Sequence, residues 1–268
     1  MKVVVVTGAS SGIGKAIAEH LSKNAAFKVV GTSRQPEKYT HLGFDMLALD
    51  VRNTESIAAF ATQLATRYQR IDVLINNAGV GITGPMEEIP VEEMRAHFET
   101  NFFGPLQVIQ AVLPLMREQK AGTIINVTSI ASYMGLPYRG IYSASKSALH
   151  VATEALRMEV KNFGVRVCTV APGDFATNIA AGRYHAPLKK GSAYEEVYGQ
   201  SLATMDAHVS SGQDPIEMAK GIERIIGNSD PKVHYKIAVF MQKFSIILKN
   251  VLPSKWYERM LMNHYGLK

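Results

Sequence analysis

Tyr142 and Lys146 stand four residues apart in Tyr142-Ser143-Ala144-Ser145-Lys146. On a helix that spacing puts both side chains on one face, where they can share a site. An unperturbed phenol titrates near ~10, too high for proton exchange at neutral pH, and a neighbouring ammonium stabilises the phenolate and brings it down. The pair therefore reads as a general acid/base, Tyr142, tuned by a cation, Lys146. A tyrosine ring packed on the core under a lysine stem has the same spacing, so the pair needs support from the rest of the chain.

A second chemical signal lies at the N-terminus, where Thr7-Gly8-Ala9-Ser10-Ser11-Gly12-Ile13-Gly14 follows an apolar run. Glycines let a backbone turn tightly and approach a pyrophosphate, and the start of the next helix offers free N–H groups at the positive end of its dipole. Alone, the same turn suits a ligand-free strand-to-helix connection. About twenty residues on, Gly31-Thr32-Ser33-Arg34 ends a second apolar run, where a dinucleotide fold meets the adenosine ribose. A carboxylate there would bind a 2′-hydroxyl and repel a 2′-phosphate. This chain offers Ser33 and Arg34 instead, which favours NADP(H) over NAD(H).

The elements that must carry these residues alternate along the chain. Short β-branched runs lie at Lys2 to Thr7, Lys28 to Thr32, Met46 to Leu49, Val73 to Asn76, Thr123 to Thr128 and Val165 to Val170. Helical periodicity fills the intervals at Ile13 to Lys23, Thr54 to Arg67, Val91 to Gln119, bent or broken at Pro105 and Pro114, and Tyr142 to Asn162. Strands joined by crossover helices pair in parallel, and continuous apolar strands belong in a sheet covered on both faces. The expected fold is a doubly wound α/β sandwich in one domain. After Pro172 the pattern lapses and helical periodicity returns at Ser192 to Val209 and Pro215 to Ile226, so residues 174–212 read as a substrate lid at the C-terminal edge of the sheet.

With Asp50-Val51 after the third run, Asn76-Asn77-Ala78-Gly79 after the fourth and Ser129 after the fifth, the ordered set TGxxxGxG, NNAG and YxxxK resembles the short-chain dehydrogenase/reductase family over Lys2 to about Thr177. The resemblance implies that Ser129 hydrogen-bonds the substrate oxygen, that Lys146 also holds the nicotinamide ribose, and that Asn101 relays protons through water toward the lysine. It further implies cofactor contacts from Asp50 and Val51 beside the adenine, from Asn77, Ala78 and Gly79 along the adenosine, and from Pro172, Gly173 and Thr177 at the nicotinamide end. Family members are commonly dimers or tetramers through their long helices, here Val91 to Gln119 and Tyr142 to Asn162.

The expected activity is NADP(H)-dependent interconversion of a carbonyl and a secondary alcohol. Met134, Pro137, Phe175, Ile179 and Tyr184 are the expected substrate-facing residues beside Ser129 and Tyr142. Their mostly apolar character points to a steroid, retinoid or fatty-chain compound, with a β-ketoacyl thioester as the enzymatic alternative. A non-catalytic NADP(H) sensor is the alternative from another class, against which the intact Ser, Tyr and Lys set speaks.

Composition excludes other classes. The 268 residues carry 29 Lys+Arg against 23 Asp+Glu, a net charge of +6, with 47% hydrophobic and 19% charged residues, enough to fill a core. The longest basic run is Lys189-Lys190, too little for a nucleic-acid surface. Eight histidines show no HxxH or HxxxH pair, so no metal site is expected. The single cysteine, Cys168, sits in an apolar run and reads as core, and with no signal-peptide pattern before Thr7 the expected compartment is the cytoplasm. Asn126-Val127-Thr128 matches a glycosylation sequon inside a strand and is set aside as a chance match. Near the C-terminus, Ile237, Phe240, Phe244, Ile247, Leu248 and Val251 share one helical arc, with Lys243, Lys249 and Asn250 away from it and Pro253 at its end. Such a helix caps the core or a subunit, or it lies on a membrane surface or lipid substrate.

Overall fold

Four consecutive valines, Val3 to Val6, are all buried, because the strand that contains them is covered on both faces. In the computed structural model that strand, β1 (Lys2–Val6), lies inside a seven-stranded parallel sheet with β2 (Phe27–Ser33), β3 (Asp45–Ala48), β4 (Val73–Asn76), β6 (Gly122–Val127), β7 (Val165–Pro172) and β9 (His234–Ile237). The order is β3-β2-β1-β4-β6-β7-β9, and a two-residue pair, β5 (Ile82–Thr83) with β8 (Tyr184–His185), stands apart. The structure describes residues 1–177, 182–210 and 212–267, with the backbone alone for 206–210; Ile179 falls outside them.

Helices cover both faces. On one side α2 (Thr54–Tyr68), α4 (Gly104–Glu118) and α5 (Gly140–Glu159) bury Phe60, Leu64, Val108, Val112 and Met116 against Val5, Leu74 and Ile124. On the other, α1 (Gly12–Ser22) and α7 (Pro215–Gly227) bury Ile17, Leu21, Ile222 and Ile225 against Val4, Ile75 and Cys168. Burial pushes the Cys168 thiol up to about 12, as suits an inert core residue. From β1 the chain winds outward both ways, so the C-terminal ends of β1 and β4 diverge and leave the crevice in which such sheets bind ligands.

Three expectations about elements are corrected. The long helical stretch is α3 (Val91–Phe98), a single π-type turn over Glu99–Phe103, and then α4. Pro105 sits in the first turn of α4, where its missing N–H costs little, and Pro114 lies inside an unbroken helix. The seventh strand, β9, was not foreseen, and Ile237 is its last residue, paired with Pro172, so the C-terminal helix α8 begins only at Phe240 and runs to Val251. A second short helix, α9 (Ser254–His264), follows Pro253.

Candidate active site

The glycine turn spans the ends of β1 and β4. Gly8 and Gly12 have φ of +67° and +55°, and a Cβ on Gly8 would sit 3.0 Å from the Cα of Ala78. A Cβ on Gly14 would run into the Gly8 carbonyl and the Asn77 amide. Thr7 Oγ1 accepts from the backbone N–H groups of Asn77 and Ala78, each at 3.0 Å. The Asn77 side chain donates to the carbonyls of Thr7 (3.0 Å) and Gly8 (3.3 Å), and Gly8 N–H donates to Thr32 Oγ1 at 3.2 Å. Asn77 and Ala78 thus brace the turn, and the Asn77 amide is spent on that bracing.

The remaining cofactor candidates fall along the same crevice. Ser11 caps α1 in an extended conformation with no side-chain cap bond, leaving the first N–H groups of the helix beside the turn. Thr177 approaches from the opposite side, its Cβ 3.5 Å from where a Cβ of Gly12 would be. At the far end Ser33 closes β2, its Oγ accepting from Gln35 N–H (3.2 Å), and Arg34 is exposed beside it. Asp50 is tied to Arg52 through backbone and side chain (3.0 and 3.5 Å), and the Val51 side chain turns into the core toward Gly104. A backbone cradle that excludes Cβ atoms, next to an open helix N-terminus, fits a pyrophosphate.

Tyr142 and Lys146 share one buried face of α5. Lys146 Nζ donates to the Val127 carbonyl at 3.0 Å. Burial holds the Lys146 ammonium below the usual lysine range, opposed by the charge of Tyr142. Ser129 follows β6 with its Oγ accepting from Ala131 N–H (3.1 Å), which leaves its O–H able to donate. The Arg139 guanidinium lies 4.9 Å from the centre of the Tyr142 ring. Below the site, Asn76 donates to Asn126 (2.9 Å), which donates to Thr153 (2.9 Å), so the sequon asparagine is a fully buried member of a polar ladder.

Asn101 occupies the π-type turn and is fully buried. Its amide is held by the Val80 backbone, with Oδ1 accepting from N–H at 2.9 Å and Nδ2 donating to C=O at 2.8 Å. The α-helical donor to the Asn101 carbonyl would be residue 105, a proline without an N–H, so the α-helical bond to this carbonyl cannot form. His97 went unnoticed in the sequence, although it stands four residues before Asn101 and so shares its helix face. Its Nε2 lies 3.0 Å from both Asn101 Nδ2 and Ser145 Oγ, and its ring 6.0 Å from that of Tyr142. Burial, helped by the Lys146 charge, pulls the His97 pKa down to about 4, so the ring is neutral and accepts from Asn101.

Above Ser129 and Tyr142 opens a cavity of about 380 Å³. Met134 and Phe175 line it, whereas Pro137 and Tyr184 lie beside it and their neighbours Leu136 and Arg183 take the lining positions. The far wall was not legible in the sequence: Met205 of α6 (Glu195–Ser210), Phe244 and Leu248 of α8, and Met260 and Leu261 of α9. Tyr257 OH donates to Met134 Sδ at 2.7 Å and pins α9 over the segment after Ser129. Away from the site the fold brings His150, Glu154 and His234 together. The two imidazoles both approach one carboxylate oxygen, Nε2 of His150 and of His234 lying 3.5 and 3.0 Å from Glu154 Oε1 with the rings stacked 4.1 Å apart, and Lys236 adds opposing charge. The sequence, which holds no HxxH or HxxxH pair, did not reveal this grouping.

Residues 2–187 match the family model described as short chain dehydrogenase. Among curated proteins, 3-ketodihydrosphingosine reductase of Bacteroides thetaiotaomicron is 37% identical over 269 residues, covering 100% of this chain and 99% of its own. A short-chain dehydrogenase from Streptomyces avermitilis superposes with a TM-score of 0.80 at 30% identity, covering 99% of this chain and 97% of that one. A metagenomic short-chain oxidoreductase in complex with NADP gives 0.69 at 28% identity over 88% of this chain and 96% of its own. A Burkholderia phymatum protein in complex with NAD gives 0.78 at 25% identity over 93% and 92%.

Proposed function

The chain belongs to the short-chain dehydrogenase family, a family of oxidoreductases, and from that premise we propose that it interconverts a hydrophobic ketone and its secondary alcohol with NADP(H). The observation that carries the reading is Ser129 and Tyr142 together at the floor of a mostly apolar cavity, with Lys146 buried one turn on from Tyr142 and the glycine cradle alongside. When bound, the nicotinamide supplies or accepts hydride at the carbon of the substrate.

The chain's own residues do the rest. Ser129 O–H donates to the substrate oxygen and orients it. Tyr142 Oη gives that oxygen a proton in reduction and takes it back in oxidation. Lys146, anchored by the Val127 carbonyl, keeps a cation beside the phenol, and the carbonyl of Asn101 holds the water through which protons return. The stretch 174–212, read as a lid on a single domain, lies partly outside the described residues; Phe175, Arg183 and Met205 of its described part, with helices α8 and α9, cover the site and exclude bulk water. Gly8, Ser10, Ser11, Gly12, Ile13 and Gly14 hold the pyrophosphate, while Ser33 and Arg34 meet the 2′-phosphate. A relative that carries the name 3-ketodihydrosphingosine reductase supports a ketone as the oxidised substrate.

A panel of long-chain and cyclic ketones, followed by loss of NADPH absorbance, tests the reading. Turnover of apolar ketones is expected. Saturable NADPH binding without turnover of any carbonyl would replace the enzyme by a cofactor sensor.

A further inference from the structure

Phe240, Phe244, Ile247 and Val251 recur at i, i+4, i+7 and i+11 along α8 and so form one stripe. A stripe of that kind normally faces the core. Here the side of α8 that packs inward carries Ile246, and the stripe points outward, with Phe240 71%, Ile247 54% and Val251 73% exposed. Trp256, near the start of α9, adds a further ring at 67% exposure.

The charge around this face is as unusual as its exposure. Basic residues are spread along the chain, but acidic ones are not. Residues 232–268 hold seven Lys and Arg against Glu258 alone, whereas the other 231 residues hold 22 of each sign. The whole net charge of +6 therefore resides in the segment that carries α8 and α9, with Lys243, Lys249, Lys255 and Arg259 on the two helices themselves. A second copy of the chain would bring the same positive charge to an apolar contact. An anionic surface would bring the opposite one.

We propose that the outward face of α8, with Trp256, docks on the surface of an anionic lipid bilayer. Apolar side chains enter the boundary between headgroups and acyl chains while Lys243, flanking the stripe, and Lys255, next to Trp256, meet lipid phosphates; Lys249 lies on the opposite side, over the Tyr257 ring. The 12 residues of α8 make it roughly 18 Å long, suited to lying in the plane of the interface. No helix among the described residues is long and apolar enough to cross a membrane, so the contact is peripheral. Phe244 of this stripe and the exposed Met241, about a quarter turn round the helix, both line the cavity above Tyr142, so the patch and the cavity are continuous. A lipid-dissolved substrate would reach Tyr142 along that path; this clause rests on the function proposed above, whereas the docking does not.

The test needs neither substrate nor cofactor. The protein is sedimented with vesicles of phosphatidylcholine alone and of phosphatidylcholine with about 30 mol % phosphatidylglycerol, and emission of its single tryptophan, Trp256, is recorded. The anionic vesicles should bind at least about tenfold more protein, shift the emission to the blue, and release the protein at high salt. Phe240→Ser with Ile247→Ser, both outside the cavity lining, should reduce binding at least about tenfold with an unchanged melting temperature. A wild type that stays in the supernatant with both vesicles, or a double variant that binds as well as wild type, overturns the proposal. So does a dimer that the double variant splits into monomers, which would make the face a subunit contact.

Discussion

At the residue scale the proposed chemistry rests on Tyr142, and removing one oxygen isolates it. Tyr142→Phe keeps the ring beside Arg139 and His97, so NADPH should still bind while turnover falls by about 10²–10⁴-fold or more, measured as kcat with saturating cofactor. Near-normal turnover would remove Tyr142 from the mechanism. His97 predicts a pH effect on stability. Its folded pKa of about 4 lies below the 6.5 of an unfolded histidine, so the unfolded chain takes up a proton that the folded one refuses. Stability is therefore full above pH 6.5 and is lost as pH falls toward about 4, by about 3 kcal/mol from this residue. His150, also pulled to about 4 by burial, acts in the same direction. Urea unfolding at pH 7 and pH 5 should show the loss, and His97→Gln, which cannot titrate, should reduce it; an unchanged slope would contradict the assignment. That Tyr142, Lys146 and Ser129 would lie close together was legible in the sequence, because local spacing and order mark them. His97 was not, since its importance comes from burial against Asn101 and Ser145, which one helix does not display.

At the scale of elements, the end of β2 and the packing of α8 each invite a test. Ser33→Asp with Arg34→Ile removes the cation and adds repulsion toward a 2′-phosphate, so the ratio of kcat/KM for NADPH over NADH should fall at least about tenfold, or ~1.4 kcal/mol. A wild type that already prefers NADH would overturn the reading of Arg34 and leave the reductase reading standing. On α8, Leu248→Trp would fill part of the 380 Å³ cavity, raising KM for long-chain ketones by about tenfold or more and sparing small ones; an equal effect on both would mean that the chain of the substrate lies elsewhere. Six strands of the main sheet were legible because continuous Val and Ile runs need cover on both faces. The seventh, His234–Ile237, is four residues long, half-exposed and interrupted by Lys236, so Ile237 fell by periodicity into the helix that follows. The cavity wall was hidden for a related reason: Met134 meets Tyr257 across 123 positions, a contact that no local pattern records.

For the molecule as a whole, the sheet order sets where the proposed chemistry would take place. Divergence at β1 and β4 places the glycine cradle at the crevice, and α5, crossing next to it, brings Tyr142 and Lys146 to the same edge. The C-terminal helices then close the apolar side of that edge, within the segment that holds the net positive charge. The central claim, transfer of hydride to an apolar ketone with Tyr142 as the proton donor, is tested most directly by following the hydrogen itself. NADPH dideuterated at the nicotinamide C4 is incubated with the ketones of the panel, and the products are read by mass spectrometry. One deuterium is expected on the carbinol carbon with wild type, and a loss of labelled product of at least about a hundredfold with Tyr142→Phe. Alcohol without the label, or labelled alcohol formed equally well by the variant, would contradict the claim.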